Sequence, residues 1–186
     1  MAARLLAEPI RKVGVINCYK TPSNISILTR AIRLLGASPI VFQVADPTWV
    51  SVAQSSAIRH WIVSGSEWNV KDNGAPRIPP DLMLDREKRW IFVCYGMQSV
   101  LCSLGAEIYK LPEYKRAAET VEGRLYWRNH GWGFDRSGVR NLRIAAPVFA
   151  SDGILMRCYI GNAVLMQYHP ERTLEGLEEL RDFVRS

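Results

Sequence analysis

The sequence predicts an α/β domain: a mostly parallel central sheet covered by helices, with a small antiparallel extension in the C-terminal half. Three observations predict it. Short β-branched runs alternate with helix-patterned segments as far as Gly105, the pattern of a parallel sheet covered on both faces. After Gly105 the texture changes to short strand-like pieces joined by turns, as in antiparallel pairing. The chain then closes on an amphipathic helical stretch.

Taken in order, "KVGVINCY" (12–19) reads as a buried strand. "TPSNISILTRAIRLLG" (21–36) carries Ile25, Leu28, Ile32 and Leu35 at helical spacing, with Ser23 or Asn24 as N-cap and Gly36 as the stop. "SPIVFQVAD" (38–46) and "HWIVSGS" (60–66) are the next strands, the second beginning at His60 and ending in a small-residue loop. "DNGAPRIPPD" (72–81) is a turn-rich connection, "RWIFVCYG" (89–96) the fourth strand and "MQSVLCSLG" (97–105) the helix after it. "GRLYWRNHGWGF", "NLRIAAPVFAS", "LMRCYIG" and "AVLMQYHPE" supply the later strands. "TLEGLEELRDFVRS" predicts a helix with Leu174, Leu177, Leu180 and Val184 on one face and acids near its N-terminus.

At 186 residues the chain fits one domain spanning 1–186, and 48% hydrophobic residues are enough for a full core. No apolar stretch approaches the roughly 20 residues of a membrane span, and "MAARLLAEPIRK" reads as a leader strand or arm, not a secretory signal. Cys18, Cys94, Cys102 and Cys158 lack metal-type spacing and are too few for a disulfide scaffold, so the simplest expectation is reduced thiols in the cytoplasm. The net charge of +6 is spread along the chain. It is compatible with a nucleic-acid partner, but no recognition motif supports one.

Cys94 stands at a strand-to-helix turn, where helix N–H groups and the helix dipole favour a thiolate. Gly96, two positions on, lets such a turn close tightly. Free cysteines are also common core fillers, so nucleophile and packing thiol both stand at this point. Of His60, His130 and His169, the last offers the best base. An extended "HPE" places His169 and Glu171 on one face, so the carboxylate can orient the imidazole. The alternative is a surface turn with an incidental His and Glu. An acyl-transfer site also needs an oxyanion hole, for which the Tyr95 N–H and the loop Ser64–Ser66 are the candidates.

Together these segments resemble the class I glutamine amidotransferases, the triad glutaminase domains. "VCYGMQSVLCSLGAEIYK" resembles the family's nucleophile elbow G-I-C-x-G-M-Q, and "VLMQYHPERTLEGLEELRDFV" its G-x-Q-F-H-P-E segment and closing helix. "IVSGSEWNVKDNGAPRIP" is similar to the oxyanion loop of the GMP synthetase branch. "NISILTRAIRLLGA" is similar to the first helix of the imidazole glycerol phosphate synthase glutaminase, and "NHGW" to the N-H-G-F glutamine clamp of carbamoyl-phosphate synthetase. The resemblance runs from about residue 12 to 185 and implies a flavodoxin-like three-layer sandwich. It implies Cys94 as nucleophile, His169 as general acid/base and Glu171 as its orienter, with Tyr95, Gly65 and Ser66 forming the oxyanion hole. Gln98, Asn129, His130, Gly131 and Trp132 would hold the substrate, L-glutamine. No metal or cofactor is implied, and the ammonia released would pass to a partner synthase subunit.

Three departures from the family pattern stand out. Phe92 occupies the site of a glycine two residues before the cysteine, and a phenyl ring there is expected to shift the elbow. Ser66 replaces a glycine of the oxyanion loop and Glu67 the proline after it. If that loop needs positive φ, serine should strain it and Ser66→Gly should raise basal turnover. The alternatives to a glutaminase are a non-catalytic binding or structural module that keeps the fold, and a hydrolase acting on another γ-glutamyl compound.

Overall fold

The computed structural model describes residues 10–186, so the proposed N-terminal arm lies largely outside the described residues. The main sheet has seven strands: β1 (Lys12–Asn17), β2 (Ser38–Gln43), β3 (His60–Val63), β4 (Arg89–Val93), β7 (Ala145–Phe149), β8 (Leu155–Ile160) and β9 (Ala163–Met166). Their order is β2-β1-β3-β4-β9-β8-β7. The first five run parallel and β8 and β7 add antiparallel, which meets the predicted architecture. A separate antiparallel pair, β5 (Tyr109–Val121) and β6 (Arg124–Gly133), forms the second sheet. β5, with its bulge between Lys110 and Lys115, has no counterpart in the sequence reading, because its polar, mostly exposed residues carry no hydrophobic run.

Side-chain alternation along the parallel strands sorts the core into two layers. Trp61, Val63, Trp90 and Phe92 face α2 (Thr48–Ser55) and α3 (Tyr95–Ser103); Ile62, Ile91 and Val93 face α1 (Ser26–Leu34) and α4 (Leu174–Arg185). α2 also has no counterpart in the sequence reading; "TWVSVAQS" is too short and too β-branched to signal a helix, and burial of Trp49 and Ala53 holds it. α1 begins after a 3₁₀ turn (Pro22–Ile25), so neither Ser23 nor Asn24 caps it. α4 is capped by the Thr173 hydroxyl, which accepts from Gly176 N–H at 3.2 Å. Leu180, Phe183 and Val184 are buried there, whereas Leu174 is exposed.

Phe92 lies on the face covered by α2 and α3, yet it does not shift the elbow as the family pattern implied. Its ring is fully buried and stacks on Trp90 (5.6 Å between centroids, 17° between planes), which stacks on Trp61. Room for that aromatic row comes from Gly14 in β1, where a Cβ would lie 2.2 Å from the Trp61 ring. The close approach of α3 to the sheet is made at Gly96 instead, whose Cβ would meet the Val63 carbonyl at 3.0 Å. The elbow therefore forms with a phenylalanine in place.

Candidate active site

The carboxyl ends of β1, β3, β4 and β9 converge, where α/β sheets gather ligands. They deliver Cys18–Tyr19, Ser64–Ser66, Cys94 and His169 to one place. Cys94 joins β4 to α3 with φ 47° and ψ −102°, a conformation that side-chain-bearing residues rarely adopt and that costs on the order of 1–3 kcal/mol. It is anchored by its own N–H, which donates to the Met166 carbonyl of β9 at 2.6 Å. Its sulfur lies 3.6 Å from Gln167 Nε2 and 3.8 Å from the Asn129 carbonyl.

Past β9 the chain stays extended at His169 and turns through Pro170, which brings His169 and Glu171 together as expected. His169 Nδ1 lies 3.0 Å from Glu171 Oε1, and both side chains are at most 5% exposed, so this is a buried pair and not a surface turn. Burial opposes charge on His169, but the Glu171 carboxylate and the Cys94 side chain outweigh it and raise its pKa to about 10. Burial likewise opposes the Glu171 carboxylate, and the His169 imidazolium outweighs it, lowering that pKa. His169 Nε2 has no hydrogen-bond partner among the described residues. Nucleophile–base contacts are often loose before substrate arrives.

Gly65 packs directly against this pair: a Cβ there would come within 2.8 Å of His169 Cε1, 3.3 Å of the Tyr19 hydroxyl and 3.5 Å of Cys94 Cβ. Neither Gly65 nor Ser66 has positive φ, so the strain expected at Ser66 is absent. The loop is held by hydrogen bonds. Ser64 Oγ accepts from Cys18 N–H (2.9 Å) and donates to the Gly65 carbonyl (2.8 Å). Because a trans peptide is planar, fixing that carbonyl fixes the Ser66 N–H on the opposite side. Ser66 Oγ donates to the Cys18 carbonyl (2.6 Å) and accepts from Trp68 N–H (3.0 Å). Glu67 accepts from Lys20 N–H (2.9 Å) and from the Asn24 amide. Ser66→Gly should therefore lower stability by about 1–2 kcal/mol without raising turnover, as paired denaturation and activity measurements will register.

A cavity of about 320 Å³ opens beside Cys94, bounded by the Ser66–Asn69 loop, Tyr95, Gln98, the β5 bulge and Asn129–Trp132 of β6. Every candidate named above as a substrate-holding residue thus lines one space. Their hydrogen bonds distinguish them. His130 is committed to the protein: Nδ1 pairs with the Trp132 carbonyl (2.9 Å) and Nε2 accepts from Arg128 Nε (3.2 Å). Burial and the Arg128 charge depress its pKa to about 4, so it stays neutral and braces β6. Arg128 is itself buried and ion-paired to Glu119 and Asp152. Asn129 Oδ1 accepts from the Tyr114 hydroxyl (3.2 Å).

Sequence reasoning passed over Tyr19, Tyr114 and Gln167. Tyr19 follows the strand "KVGVIN" by two residues, a position at a strand end that could have flagged it. Tyr114 comes from the unforeseen β5 and gave no signal. Gln167 lies two residues before His169, inside a motif read for its His and Glu alone. Among the described residues no group of His, Cys, Asp and Glu is arranged to hold a metal, and no helix is long and apolar enough to cross a membrane.

The sequence matches no protein-family profile and no curated protein. Solved structures are similar in fold. A protein assigned as a GMP synthase subunit from Thermoplasma acidophilum superposes with TM-score 0.73 at 16% identity, over 95% of this chain and 94% of that one. A glutamine amidotransferase from Thermotoga maritima gives 0.60 at 15% identity, over 95% and 83%. A glutamine amidotransferase from Methylobacillus flagellatus gives 0.63 at 14% identity, over 94% and 76%. With a parallel sheet in the expected order and a strand-to-helix turn ending β4, the chain has the fold of the class I glutamine amidotransferases.

Proposed function

We propose that the chain hydrolyses L-glutamine to glutamate and ammonia through a Cys94 thioester. The observation that carries this reading is Cys94 held in a strained turn against Gly65 and the buried His169–Glu171 pair, facing a cavity. The Cys94 proton passes to His169, and the thiolate attacks the side-chain amide carbon of glutamine. The oxyanion is met by N–H groups of Tyr95, which heads α3 and has no intrahelical partner, and of the clamped Gly65–Ser66 peptide. As the C–N bond breaks, His169 returns its proton to the leaving nitrogen, releasing ammonia. His169 then takes a proton from water, which attacks the thioester; the C–S bond breaks and glutamate leaves. These steps balance with no metal or organic cofactor.

The ammonia goes to a partner synthase subunit in the cytoplasm. Tyr114 holds Asn129 while Gln98 and Trp132 close the amino-acid end of the cavity. Phe92, Ser66 and Glu67, which would support a non-catalytic module, each have structural work of their own in the aromatic row and the loop clamp. A γ-glutamyl hydrolase would share every step, and the Trp68 and Lys110–Tyr114 side of the cavity could seat a longer substrate. The test is release of glutamate and ammonia from glutamine and from γ-glutamyl peptides, by the purified chain alone and with candidate synthases. Cysteine-dependent release from glutamine is expected. Release from the peptides alone moves the assignment to the γ-glutamyl hydrolase, and none from either substrate overturns catalysis.

A further inference from the structure

Behind Cys94 runs a chain of amides whose direction is fixed by its far end. The Trp132 carbonyl can only accept, so the Gln98 group 2.9 Å from it must be the NH₂. That same Nε2 lies 3.1 Å from the Gln167 side chain, which must then present its carbonyl oxygen. The remaining end of the Gln167 amide, Nε2, is turned to the Cys94 sulfur at 3.6 Å. Gln167 and Gln98 are buried, at 0% and 4% exposure, so water does not compete for these bonds. Both Gln98 N–H groups are used, which leaves its carbonyl oxygen as the group free to meet substrate.

We propose that Gln167 is a further catalytic residue, whose Nε2–H donates to the Cys94 sulfur and stabilises the negative charge that sulfur carries before attack and regains when the thioester breaks. The other groups around Cys94 do not duplicate it. His169 holds the transferred proton, backed by Glu171. The Asn129 carbonyl can only accept from a thiol and repels a thiolate. The Tyr114 hydroxyl donates to Asn129 Oδ1 (3.2 Å), and among the described residues neither it nor the Tyr19 hydroxyl is hydrogen-bonded to the sulfur. The inference rests on Cys94 as the nucleophile but not on which amide is cleaved.

The test is alkylation of Cys94 by iodoacetamide in the intact chain, followed peptide by peptide so that Cys18, Cys102 and Cys158 are scored separately. In Gln167→Met, which keeps the side-chain volume, the rate at neutral pH should fall about tenfold and recover in alkaline buffer. Should that variant not fold, Gln98→Met frees the Gln167 amide to rotate and should lower the rate about threefold. In a folded Gln167→Met variant, an unchanged neutral rate, or a fall that alkaline buffer does not restore, overturns the proposal. Where only Gln98→Met folds, an unchanged neutral rate overturns it. A chain without glutaminase activity but with this Gln167-dependent reactivity would overturn the proposed reaction and leave the role of Gln167 standing.

Discussion

Cys94→Ala should abolish glutamine-dependent ammonia release, and Cys94→Gly, equally inactive, should be the more stable of the two. Loss of the thiol removes the only atom at this turn able to form the acyl-enzyme, so turnover falls to background. The stability order is the less obvious half. At an ordinary strand or helix position glycine is less stable than alanine by about 0.5–1 kcal/mol, because it gives up more backbone freedom on folding. At φ 47° and ψ −102° the balance reverses. Alanine retains the Cβ and its strain of about 1–3 kcal/mol, while glycine has none. The net expectation is an advantage of about 1 kcal/mol for glycine, measured by urea denaturation of both variants. Such an inversion marks a turn whose strain is kept to set the thiol beside the cavity at the end of β4. If alanine proves the more stable, the turn is not strained and its tight geometry serves packing alone.

The same turn shows where sequence reading works and where it stops. Strands β1, β3, β4 and β9 were legible because burial on both faces demands continuous β-branched and aromatic runs. The elbow and "YHPE" were legible because short loops at strand ends must carry specific residue types. Phe92 was misjudged because its neighbours Trp90 and Trp61 come from two strands, and Gly14, which makes room for Trp61, from a third. Strain was likewise expected at Ser66, and it lies instead at Cys94; the clamp from Ser64 to the Gly65 carbonyl depends on a contact 46 residues away, between Ser64 and Cys18. His130 looked like a substrate group because its role depends on Arg128, Glu119 and Asp152, charges that only the hairpin and β7–β8 turn bring together.

Glu171→Gln should lower turnover on the order of 10⁴-fold, the size of the loss when the acid that orients a catalytic histidine becomes an amide, while removing a pH dependence of stability. His169 is raised from an ordinary 6.5 to about 10 in the folded chain. Its contribution to stability is therefore complete below about 6.5 and is lost as pH climbs through about 10. Glu171 is lowered from an ordinary 4.5, so its contribution is present above that value and is lost as pH falls through its lower folded value. Wild type should be most stable between those limits and weaken on the alkaline side. In the glutamine variant the amide oxygen still accepts from Nδ1–H, which keeps the ring in place. The negative charge that overcame burial is gone, however, and His169 becomes neutral in the fold. The alkaline decline between about 6.5 and 10 should then flatten, and any dependence on His169 moves below about 6.5. Glu171 Oε2, which has no partner among the described residues, becomes an unsatisfied buried amide group costing about 1–3 kcal/mol. Denaturation across pH and steady-state turnover read these effects separately. An alkaline slope undiminished in the variant would show that Glu171 does not sustain the imidazolium, leaving that to the Cys94 side chain, and the orienting role drawn for Glu171 would fail.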